Sequence, residues 1–96
     1  MNQRLDAVKA ERLFKAVLSL KTPEECGRFF DDLCTISELK AMEQRLEVAV
    51  MLDRGLVYSR IAEQTGASTA TISRVSRSLN YGSDGYRLIL DRIKDL

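Results

Sequence analysis

The chain has 96 residues, 45% apolar and 30% charged, with a formal net charge of +1. That length suits one domain around a single core, and the composition is that of an ordinary soluble globular chain. One proline and five glycines leave few turns for a many-stranded β protein, so an all-α fold is expected.

Near the N-terminus, Ala7, Ala10, Phe14, Val17 and Leu18 recur at three- and four-residue steps. That period predicts an amphipathic helix of roughly four turns, stopping near Leu20. Its near-heptad stripe suits packing across a dimer. Thr22-Pro23-Glu24-Glu25 opens a second helix, with Thr22 as N-cap, Pro23 in the first helical position and Glu25 closing a capping box. Its buried face is expected to hold Cys26, Phe29, Phe30 and Leu33.

Thr35 to Glu38, TISE, repeats the capping-box logic. The third helix should run to about Asp53, with Gly55 suited to its C-terminal turn. At about 100° per residue, Ala41, Val48, Leu52, Ala49, Met42, Leu46, Leu39 and Val50 cover more than half its circumference. A helix this apolar should be central and packed on several sides. Arg45 projects from inside the arc, where a guanidinium needs an anionic partner or a route to solvent. A pairing with Asp53, Glu38 or a second chain would serve, as would snorkelling.

Residues 58–79 read YSRIAEQTGASTATISRVSRSL. Ser59 can cap a short helix with Ile61 and Ala62 facing inward, and Gly66 lies where the chain must turn. Ser68 then caps the next helix, its hydroxyl accepting from the amide of Ala70 or Thr71. Ile72, Val75 and Leu79 form the inward stripe of that helix. A small residue, a glycine four later, a β-branched residue six after that and an apolar residue three further on resemble the DNA-binding helix-turn-helix. Asn80-Tyr81-Gly82-Ser83 is a turn with Ser83 as N-cap. A last helix follows, with Tyr86, Ile89, Leu90 and Ile93 on one side. The whole chain, 1–96, is expected to be one domain of about six helices and no strand.

Charge is unevenly placed. Residues 1–53 carry eight basic and ten acidic side chains, whereas residues 54–80 carry Arg54, Arg60, Arg74 and Arg77 against Glu63 alone. On the second helix of the corner, Ala70, Ser73, Arg74 and Arg77 face outward. Ser68, Thr69 and Ala70 could enter the major groove of double-stranded DNA, where small side chains contact a thymine methyl or a base edge. Arg60, Arg77 and the amides at the helix start would contact phosphates. The same corner serves as plain packing in many helical proteins, but an acid-poor, Arg-rich face favours DNA.

Beyond the corner, TISELKAMEQRLEVAVMLDRG followed by TGASTATISRVSRSL resembles the Trp repressor superfamily. The match runs from about Thr35 to Leu79, more loosely to the C-terminus, and has the pattern of the small YerC/YecD-type, Trp repressor-related proteins. The resemblance implies an intertwined, all-helical homodimer that binds an operator through two helix-turn-helix units. In the amino-acid-responsive member, two arginines hold the corepressor's indole. Their positions match Arg45 and Arg74, with Thr71 and Ser78 matching other polar residues of that pocket and Thr35 matching the Thr that starts the central helix. Two departures count against tryptophan. That member has a glycine after the recognition-helix arginine where this chain has Val75, and the link from Gly55 to the helix-turn-helix is one residue shorter here.

No other chemistry emerges. The chain has no His, no carboxylate cluster at metal-ligand spacing and no serine beside a base, so neither a catalytic nor a metal site is expected. Two cysteines make no disulfide framework and read as buried thiols of a reducing cytoplasm. MNQRLDAVKA lacks an apolar signal region, and no run is long enough to span a bilayer. The sequence thus predicts a cytoplasmic, homodimeric transcriptional regulator, a repressor on a pseudo-palindromic operator, with no required cofactor. The alternatives are a helical module docking on the transcription machinery and a repressor that needs an amino-acid-like corepressor.

Overall fold

The computed structural model describes residues 6–94. Six helices follow in chain order: α1 (Ala7–Leu18), α2 (Pro23–Leu33), α3 (Ile36–Asp53), α4 (Tyr58–Thr65), α5 (Thr69–Tyr81) and α6 (Gly85–Ile93). No strand occurs among the described residues. The fold is all-α.

Local chemistry sets most boundaries. Asp6, unnoticed in the sequence, caps α1 by accepting from the amides of Val8 and Lys9 at 3.1 and 3.3 Å. At α2 the Thr22 hydroxyl accepts from the Glu25 amide at 3.1 Å, while the Glu25 carboxylate takes the Lys21 amide at 2.9 Å. The box therefore closes one residue earlier than its usual form. At α3 it is complete: the Thr35 hydroxyl accepts from the Glu38 amide at 3.1 Å and the Glu38 carboxylate from the Thr35 amide at 2.8 Å. Those contacts, the backbone N–H first, hold the Glu38 carboxyl below its ordinary range. The helix ends in a Schellman motif, with Leu56 N–H donating to Met51 and Gly55 N–H to Leu52.

Two boundaries differ from expectation. The Val57 carbonyl accepts from both Arg60 and Ile61 at 3.1 Å, so α4 begins at Tyr58 and Ser59 lies inside its first turn without capping it. Likewise α6 takes Asp84 as its N-cap, at a left-handed φ of 64° and with no side-chain cap bond, in place of Ser83. Gly82 before it is a steric requirement, because a Cβ there would collide with the Ser78 carbonyl.

The chain separates into two compact units, up to Leu39 and from Lys40 onward. In the first, no described residue is fully buried: Cys26, Phe29 and Phe30 are half-buried and Leu33 is exposed. Phe29 and Phe30 meet edge-to-face at 5.5 Å. Neither thiol is buried as the sequence suggested; Cys26 and Cys34 are free and half-buried.

The second unit holds the core: Val48, Ala49, Ile61, Ala67, Ile72, Val75, Leu79 and Leu90. From α3 only Val48 and Ala49 are fully buried, and Met42 and Leu46 stay 38% exposed. Val50, Met51 and Leu52 are half-buried and pack against that core.

Candidate nucleic-acid interface

The corner formed by α4 and α5 is built from small steric decisions. Ile61 is fully buried, Ala62 half-buried, and Gly66 ends α4 at φ 73° with its N–H donating to Ala62 at 2.8 Å. A residue with a Cβ in that left-handed conformation costs roughly 1 kcal/mol, which explains glycine here. Ala67 packs into the core, a contact the sequence did not reveal because an alanine beside a turn carries no periodic signal. Ser68 caps α5 by accepting from the Thr71 amide at 3.1 Å, and its own hydroxyl donates to the Thr71 hydroxyl oxygen at the same distance. Ile72, Val75 and Leu79 point inward, as their spacing predicts.

What remains of α5 faces out. Ser68, Thr69, Ala70, Arg74 and Arg77 are exposed and Ser73 is half-buried. Arg60 of α4 is exposed as well. No described ion pair involves Arg60, Arg74 or Arg77. α5 thus offers a small-residue start and two exposed guanidinium groups, α4 offers a third, and none of the three is ion-paired among the described residues.

Three comparisons bear on what this arrangement belongs to. The family model described as Trp repressor protein matches residues 8–94. The chain belongs to the Trp repressor family. It is 58% identical over 92 residues to YerC, an uncharacterized protein of Bacillus subtilis, covering 96% of this chain and 88% of that one. Two crystal structures share the fold. A candidate Trp repressor from Staphylococcus aureus has a TM-score of 0.89 and 50% identity, covering 95% of this chain and 91% of its own. A TrpR-like protein from Eubacterium eligens has a TM-score of 0.91 and 54% identity, covering 99% and 98%.

The five residues that match the corepressor pocket of this family fare differently. Thr35 is engaged in the α3 capping box and Thr71 in the Ser68 cap. Arg74 and Ser78 are exposed along α5, and Arg45 is half-buried on α3. Among Arg45, Thr71, Arg74 and Ser78, no described side-chain hydrogen bond joins one to another. Asp53, one expected partner of Arg45, pairs with Arg87 at 2.8 Å instead, and Glu38 serves the α3 cap. Val75, where the amino-acid-responsive relative has glycine, is 1% exposed and part of the core.

Among the described residues, no cluster of three His, Cys, Asp or Glu could hold a metal. No described helix is long and apolar enough to cross a membrane.

Proposed function

We propose that this protein is a non-enzymatic transcriptional regulator that binds double-stranded DNA sequence-specifically and represses by occluding a promoter. The observation that carries this reading is the exposed start of α5, Ser68-Thr69-Ala70, together with exposed Arg60, Arg74 and Arg77 and with Glu63 as the only acid of residues 54–80. Thr69 and Ala70 read base edges and Ser73 supports them, while Arg60, Arg77 and the first amides of α5 hold phosphates. The working form is a homodimer. Its two helix-turn-helix units would lie about 34 Å apart and take a pseudo-palindromic operator. Exposed apolar side chains such as Val8 and Leu18, at 82% and 83%, support a second copy as their cover.

DNA binding of this kind needs no amino acid. Val75 stands where the tryptophan-responsive relative has glycine and is taken up in the core, a departure that counts against an indole beside Arg74. Calorimetric titration with a panel of amino acids should give no heat; a saturable signal that Arg45→Ala removes would restore the corepressor reading.

Selection of bound genomic fragments tests the main proposal. Affinity for the selected operator should fall steeply with salt as each neutralised phosphate releases counterion. Arg77→Ala should weaken binding to all sequences alike, and Thr69→Ala should change preference at one base pair, by about 1–3 kcal/mol. No retention on any fragment, with capture of a transcription-machinery component instead, would favour the protein-docking alternative.

A further inference from the structure

Gln44 lies on α3, and its side-chain amide donates to the Thr65 carbonyl at 3.2 Å. Thr65 is the last residue of α4, so its carbonyl has no partner within its own helix. The rest of the turn pairs locally. The Thr65 hydroxyl donates to the Ile61 carbonyl at 2.7 Å and accepts from the Ala67 amide at 3.1 Å. Among the described residues, Gln44 supplies the one side-chain hydrogen bond that joins this turn to a helix other than α4 and α5.

A second polar link lies further along α3, where Arg87 of α6 donates to Asp53 at 2.8 Å. Gln44 and Asp53 are separated by about 13 Å along the helix at 1.5 Å per residue. The first link holds the turn that enters α5, and the second holds α6, the helix that follows α5 and packs on it. The apolar core between them, from Val48 to Leu90, drives burial but is non-directional. Directional bonds select one packing angle among those the core permits.

We propose that Gln44 is a positioning residue for the DNA-binding face. Gln44 ties the turn that leads into α5 to α3, and the Asp53–Arg87 pair ties α6, which packs on α5, to the same helix, so the chain's own side chains hold both flanks of α5 and set the binding pose without a small molecule. The inference rests on α5 being the DNA-recognition helix.

Three variants test it. Gln44→Leu removes the donor at similar volume, Gln44→Glu turns an acceptor towards the Thr65 carbonyl, and Gln44→Lys keeps a donor of comparable reach. Affinities are measured for a selected operator and for a scrambled duplex, alongside urea midpoints. Gln44→Leu and Gln44→Glu should bind the operator about tenfold more weakly, with affinity for the scrambled duplex unchanged, and Gln44→Lys should stay within about threefold of the wild type. Unchanged operator binding in the Leu and Glu variants overturns the proposal. So does an equal loss on both duplexes that tracks a falling urea midpoint, because that marks a merely structural role. A wild type that prefers no sequence sinks the DNA reading and the positioning role with it. The tether is then judged without DNA, by amide hydrogen exchange: Gly66 and Ala67 should exchange faster in Gln44→Leu while Leu88 does not, and unaltered protection would refute the tether too.

Discussion

Between Val48 and Leu90 the chain buries eight apolar side chains, and between Asp6 and Leu39 it buries none. Yet α1 and α2 carry apolar faces as regular as those of α4, α5 and α6. The later stretch folds on itself: α4, α5 and α6 each contribute fully buried residues to one core. The earlier stretch leaves Val8, Leu13, Leu18 and Leu33 in the open. An amphipathic pattern states that a face will be covered; it does not state by what. Here the DNA-binding half is proposed to be complete within one chain and the N-terminal half to be completed by a second.

The contrast is broken most severely at its buried side. Ile72, fully buried, should cost about 2–5 kcal/mol on truncation to alanine. The loss in a urea titration should be the same at low and high protein concentration. A smaller loss, below about 1 kcal/mol, would mean that the core is not where the fold's stability resides.

The open side should answer differently. Phe14→Ala in α1 is expected to weaken self-association by about 1–3 kcal/mol, read by analytical ultracentrifugation, with little effect on the fold around α5. A wild type that sediments as a monomer at micromolar concentration would remove the second copy from the picture.

Smaller effects refine the helix ends on the two sides. Asp84 holds φ 64° without a side-chain cap bond, a conformation glycine adopts freely, so Asp84→Gly should stabilise the second unit by about 0.5–1 kcal/mol. A lower thermal midpoint would show instead that the Asp84 side chain supports the turn.

The slightest effect concerns Glu38 at the start of α3. Its folded carboxyl lies below the ordinary value. Its contribution is therefore full above an unfolded value of about 4.3 and is lost as pH falls through the lowered one. Urea midpoints compared from pH 6 to pH 3 should fall less steeply for Glu38→Gln than for the wild type. Parallel curves would mean that the capping box does not sense pH.

Much of the candidate interface was legible in the amino-acid sequence. Gly66, the Ser68 cap and the stripe of Ile72, Val75 and Leu79 all stand where their spacing placed them. So do the caps at Thr22 and Thr35. Ser59 and Ser83 misled because a capping residue type is a local invitation that the neighbouring backbone can decline. At α4 the Val57 carbonyl accepted the bonds that open the helix, and at α6 the Asp84 carbonyl did so by accepting from Leu88. Gln44 gave a weaker clue. At about 100° per residue it sits some 40° beyond Val48, at the rim of the apolar arc, where a polar side chain reads equally well as solvated.

What the sequence determined by itself was therefore the set of helices and the shape of the corner. Capping bonds, left-handed glycines and apolar periodicity act within a few residues, and those residues are written side by side. Only the tertiary structure decided that Gln44 meets Thr65, that Asp53 meets Arg87 and not Arg45, and that Ala67 enters the core. Those outcomes depend on which distant segments come to lie together, and spacing along one helix carries no record of the partner it will face.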